Sequence, residues 1–232
     1  MKHSLGTVGQ ARWSLRSSMR VALAITLVAT CAGCSTPSAS ERFYALSDGS
    51  SSTSAPVATS TAASNALPGI VISAVTVPEL VDRPQIVTRD GANRVNVAEQ
   101  QLWAEPLKNG IGRVLAVRLA KTLADAGRPA RVAAYPQTSI ANPDVRVTSA
   151  VQRFDAMPGG DAVIDVLWSV RRTSDDSIRS GRTVATRPIT ALTYDDTVRA
   201  WSEALDVLNM DIAAVVVQSD STQPASVVKQ RR

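Results

Sequence analysis

Side chains able to do covalent or acid–base chemistry are scarce in this chain and unevenly placed. His3 is its one histidine, and Cys31 and Cys34 are its only thiols. A Ser-His-Asp or Cys-His arrangement needs an imidazole beside the nucleophile, and zinc sites built on thiolates or imidazoles need several such ligands within reach of one ion. From residue 35 onward the sequence has neither histidine nor cysteine, so those chemistries and structural disulfides are excluded there. Carboxylates remain, and the acidic pairs are Asp175-Asp176 and Asp195-Asp196. Asp175-Asp176-Ser177 falls between two strand patterns. Asp195-Asp196-Thr197 opens a helical one, where acids complement the helix dipole, so both pairs read as turn and cap residues rather than catalysts. No phosphate loop or dinucleotide fingerprint is present. The expectation is a protein with no catalytic residues, no metal site and no cofactor.

Cys34 is the exception, because a targeting signal is written around it. Lys2, Arg12, Arg16 and Arg20, with no acid before Cys34, make a basic start. The apolar run Val21 to Ala29 is too short for the roughly 20 residues that cross a bilayer, so residues 1–33 read as a signal peptide. Cys31-Ala32-Gly33-Cys34 sets small residues before a cysteine that opens a Ser/Thr/Pro stretch, similar to the lipobox of bacterial lipoproteins. Cys34 is then the lipidated first residue of the mature chain, carrying acyl groups such as palmitate. Cys31 fits less well because Thr30 is a poorer cleavage residue, and the competing reading is a plain secretory signal with a spare cysteine. Removing residues 1–33 takes away four of the 25 basic residues and none of the 20 acidic ones, so the net charge drops from +5 to +1. A near-neutral chain gives no footing for nucleic-acid binding, which needs a basic patch. The end, Lys229-Gln230-Arg231-Arg232, reads as part of a solvated, disordered basic tail over 221–232.

The most specific stretch runs from Val77 to Leu123. Ile86 to Arg89 and Arg94 to Val97 predict two strands around Asp90-Gly91-Ala92-Asn93, a hairpin whose glycine takes positive φ. Pro106 suits a helix first turn. Leu107, Ile111, Val114, Leu115, Leu119 and Leu123 then follow at helical spacing, with Gly127 closing the helix. Gly110 and Gly112 inside that helix each cost about 1 kcal/mol relative to alanine, which predicts loose first turns.

Arg83-Pro84-Gln85-Ile86-Val87 followed by Trp103-Ala104-Glu105-Pro106-Leu107 resembles the ABC-type transport auxiliary lipoproteins, the family that includes the intermembrane transport lipoprotein PqiC. The resemblance extends from Phe43-Tyr44-Ala45-Leu46 to the last helix. It implies a non-catalytic lipoprotein anchored in the outer membrane and facing the periplasm. Its implied partners are an ABC permease and ATPase and a mammalian-cell-entry (MCE) substrate-binding protein of a lipid transport system. Ring-shaped transport partners make a homo-oligomer a natural extension. The alternative is a structural or assembly lipoprotein of another outer-membrane machine that handles no substrate. Arg83, Gln85, Trp103 and Glu105 form the candidate partner-binding cluster. The competing reading makes Trp103 a plug between strand and helix, with Arg83 or Glu105 satisfying nearby backbone or each other.

The remaining elements must carry that signature. Cys34 and residues to 41 form anchor and tether, the stretch Ser35–Ser40 reaching at most roughly 20–25 Å when extended. The domain spans 42–220. Phe43 to Leu46 reads as a strand, and 47–66 as a flexible low-complexity loop. The segment from Ile70 to Val75 reads as a mostly apolar strand, and Arg131 to Tyr135 as another. Asp144–Asp155, Ala162–Arg172 and Ser177–Thr186 form an antiparallel meander in which Trp168 faces the core. Asp195 to Gln218 is a second helix with Val198, Trp201, Leu205, Leu208, Ile212 and Val215 on one stripe. The fold class expected is α+β: one domain, a mixed or mostly antiparallel sheet of about six or seven strands, and two long helices packed on one face.

Overall fold

The computed structural model describes residues 40–49, 67–136 and 139–221, so the leader, Cys34, most of the 47–66 loop and the basic tail lie outside the described residues. From Glu41 onward these residues belong to a single unit. Its elements in chain order are β1 (Arg42–Tyr44), β2 (Gly69–Ile72), β3 (Gln85–Arg89), β4 (Val95–Trp103), α1 (Leu107–Asp125), β5 (Arg131–Ala134), β6 (Val145–Ala156), β7 (Asp161–Arg172), β8 (Ile178–Pro188) and α2 (Tyr194–Ser221). Among the described residues, no helix is long and apolar enough to cross a membrane.

The fold is α+β with mixed sheets, as the patterning implies, but the strands do not form one sheet. Five of them lie in the order β5-β2-β6-β7-β8, and three in the order β1-β4-β3. The physical cause sits in the hairpin. Val87 to Arg89 pair in step with Val95 to Val97, but Ile86 pairs with Ala98 while Gln85 pairs with Leu102, so β4 carries extra residues at that point. Such an insertion bends and twists its strand away from the ladder. Past it, Gln101 to Trp103 pair in parallel with Arg42 to Tyr44, which gives the small sheet its third strand.

Both helices cover one face of the five-stranded sheet. Alternation decides which face: Val145, Val147, Val151, Ala162, Ile164, Val166 and Val170 are buried under them, while Arg146, Thr148 and Leu167 point outward. β2 is buried throughout because it pairs with β5 on one side and β6 on the other, both in parallel. Gly69 opens it, since a Cβ there would lie 2.8 Å from the Ile140 side chain. The α1 stripe is buried as its spacing requires, and Gly127 at φ +72° ends the helix, with Arg128 N–H donating to Leu123 O at 2.8 Å. α2 buries Trp201, Leu205, Leu208 and Ile212. Trp168 is buried in the same core, its indole N–H donating to Thr183 Oγ1 at 2.9 Å.

The acidic pairs are structural, as read from the sequence. Asp175 accepts from the Ser177 amide and hydroxyl, and these bonds hold its carboxyl below the ordinary range. Asp176, at φ +57°, pairs with Arg171. At the start of α2, Thr193 Oγ1 accepts the Asp196 amide at 3.2 Å, and Asp196 in turn accepts the Ala191 amide at 2.6 Å.

Candidate docking groove

The signature motifs converge where β3 begins, β4 ends and α1 starts. Trp103 N–H donates to Pro84 O at 2.7 Å and Ala104 N–H to Tyr44 O at 2.8 Å, so β1, the loop before β3 and the end of β4 are tied together at this point. Pro106 caps α1 with its carbonyl, which accepts the amides of Asn109 and Gly110 at 2.8 and 3.1 Å. The result is a groove of about 390 Å³ between Asp82, Arg83 and Pro84 on one wall and Trp103 through Lys108 on the other.

The four residues singled out from the sequence are brought together, but they do different things. Trp103 is 7% exposed, and its ring lies 6.4 Å from Phe154 and 5.8 Å from Trp201, themselves stacked at 4.6 Å. This aromatic cluster fills the space between the two sheets and α2, and Trp201 Nε1 closes it by donating to Asp155 O at 3.0 Å. Gln85 is half-buried at the register shift. Glu105 is half-buried and receives Arg113 at 2.9 Å. It does not pair with Arg83. Gly110 lies against this carboxylate, and a Cβ there would stand 3.3 Å from Glu105 Oε1, closer than an ordinary contact. The glycine that weakens α1 by propensity thus makes room for the carboxylate that anchors its first turns.

Arg113 and Arg118 were not picked out by sequence reasoning, yet they organise the segment after β1. Arg113 also donates to Leu46 O at 2.9 Å and faces Asp48 at 3.4 Å. Arg118 is buried, donates to Ser47 O and Ser202 O at 2.6 Å each, and meets Asp206 at 3.0 Å. Burial pulls its guanidinium pKa down from the ordinary arginine value, with Asp206 and Asp48 opposing the shift. The available signal was Arg118 itself, a cation set between Leu115 and Leu119 on an apolar stripe.

Charge in the groove is otherwise balanced: Lys108 holds Asp82 at 3.1 Å and Arg113 holds Glu105. Arg83 is exposed at the mouth and has no partner among the described residues. A guanidinium in that position offers a planar fork to a carboxylate or a phosphate.

Residues 44–213 match the family model of the ABC-type transport auxiliary lipoprotein component. The chain belongs to that family. As an auxiliary lipoprotein of ABC-type transport it is a membrane-anchored component of a transport system. Two solved structures share its fold. One is a crystal structure of an uncharacterised protein, 18% identical, with a TM-score of 0.59, covering 76% of this chain and 99% of its own. The other is protein XCC0632 from Xanthomonas campestris, 20% identical, with a TM-score of 0.55, covering 78% of this chain and 99% of its own. No curated protein matches the sequence.

Proposed function

We propose that this auxiliary lipoprotein is a non-catalytic, outer-membrane-anchored component of an ABC/MCE-type intermembrane lipid transport system, held by acyl chains on Cys34. It faces the periplasm and docks an MCE-family partner through the groove beside Trp103. The observation that carries the docking part is the division of labour within the signature. Trp103 and Glu105 are committed to the fold, while Arg83, at the mouth of the same groove, is the groove's one charged side chain without a partner among the described residues. Interface hot spots are enriched in arginine, and an acid on the partner would complete the pair. The absence of histidine and thiol beyond Cys34 supports a binding rather than a catalytic role.

Two measurements test the proposal. Membrane fractionation should find the wild type in the outer membrane and the Cys34→Ala protein unlipidated and absent from it, because a stable anchor requires more than one acyl chain. Outer-membrane residence of the variant would contradict the anchor. Co-isolation from solubilised membranes should recover an MCE-family protein, and its absence would remove the assigned partner.

A further inference from the structure

The five-stranded sheet ends in β8, and the free side of that strand presents an open row of backbone groups. At the two ends of the β7–β8 ladder, Arg172 N–H donates to Ser177 O at 3.0 Å and Ile189 N–H donates to Gly160 O at 2.8 Å. Antiparallel alternation between those two bonds turns the backbone of Arg179, Gly181, Thr183, Ala185 and Arg187 toward β7. The N–H and C=O groups of Ile178, Ser180, Arg182, Val184 and Thr186 therefore point away from the sheet. One end of this row is blunted. Arg187 Nη1 donates to Thr186 O at 2.9 Å, and Pro188 has no amide to offer. The rungs from Ile178 to Val184 are left unpaired among the described residues.

The side chains along the edge say what kind of strand fits there. β8 carries Arg179, Arg182 and Arg187 and no acid. Arg182 is neutralised by Asp165, which accepts from it at 2.8 and 2.6 Å, whereas Arg179 has no partner among the described residues. The pleat sorts the rest: Arg179 and Arg187 lie on the helix side, while Ile178 and Val184, 60% and 58% exposed, lie on the open side. An incoming strand that alternates acids with aliphatic residues would set its acids beside the arginines and its aliphatics beside Ile178 and Val184.

We infer that β8 is a strand-addition site for an extended, acidic segment of a partner protein, separate from the Arg83 groove. The sequence rules out the nearer occupants. Residues 1–39, 50–66 and 222–232 contain no Asp or Glu, so none of these parts of the chain supplies the acids. A second copy of β8 would bring arginines against arginines. The other edge of the sheet, β5, is a four-residue strand carrying Arg131. Like charges set opposite each other disfavour both pairings.

The test uses the full-length lipoprotein in detergent and two synthetic peptides, one alternating glutamate with valine and one alternating lysine with valine. Hydrogen exchange at the amides of Ile178, Ser180, Arg182 and Val184 should slow roughly tenfold or more with the glutamate peptide, because free-edge amides become ladder amides. Those of Arg179, Gly181 and Thr183 should stay as they are. Ser180→Pro removes an outward amide and leaves the β7 ladder intact, so it should keep the unfolding midpoint and weaken the glutamate peptide about tenfold. Arg179→Glu is the companion variant and should shift the preference toward the lysine peptide. The inference is overturned if the glutamate peptide binds no better than the lysine peptide or leaves the four amides unprotected. It is equally overturned if binding is indifferent to both substitutions.

Discussion

The ring of Trp168 occupies the space where a Cβ on Gly181 would stand: Cε2 and Cη2 of the indole lie 2.8 Å from that position, on directly paired rungs of β7 and β8. Gly181 is therefore a packing requirement of the core. Gly181→Ala should displace the indole and loosen its bond to Thr183, costing about 1–3 kcal/mol, the usual range for overpacking. Urea unfolding measures it, and a midpoint equal to that of the wild type would mean that the ring has room to spare.

Trp103 supplies a second stability test. Its ring contacts Phe154 and Trp201 between the two sheets and α2, so Trp103→Ala should cost about 3–5 kcal/mol, a large fraction of the 5–15 kcal/mol that typically holds a domain together. Early thermal melting is the expected readout. A Trp103→Ala protein with wild-type stability would show that the aromatic cluster is not structural.

Acid should weaken the fold through Asp196. The Ala191 amide, followed by Arg199, holds this carboxyl down to about 2, below its ordinary 3.8. A depressed carboxylate pKa contributes stability that is in place above the unfolded value and disappears as pH falls through the folded one. The contribution is thus lost between about pH 4 and pH 2. Asp196→Asn should lower the melting temperature at neutral pH and flatten the acid limb of the profile over that window. An acid limb identical to that of the wild type would contradict the role of the cap.

What the sequence made legible and what it hid separate along physical lines. The hairpin at Asp90–Asn93, both helices and the β6–β8 meander rest on local periodicity and turn chemistry, which a single strand of residues records directly. The division into two sheets depends on the register shift at Gln85 and on Arg42–Tyr44 pairing with residues far along the chain at Gln101–Trp103. Neither leaves a periodic trace. In the groove, the sequence left Trp103 open between a docking residue and a plug between strand and helix, and its burial against Phe154 and Trp201 makes it the plug. The partner of Glu105 was not readable, because Glu105 lies ahead of α1, where no helical period fixes which side chain of the helix it meets.

Docking rests most directly on Arg83, since its guanidinium is exposed and without a partner among the described residues while the other charged side chains of the groove are paired. The deciding measurement is the affinity of the solubilised lipoprotein for its MCE-family partner, taken together with the unfolding midpoint, for the wild type, Arg83→Ala and Arg83→Glu. The docking account predicts an unchanged midpoint and affinity falling at least about tenfold for alanine and further for glutamate, in line with a hot-spot arginine. Wild-type affinity in Arg83→Glu would contradict it and leave the groove a purely structural junction.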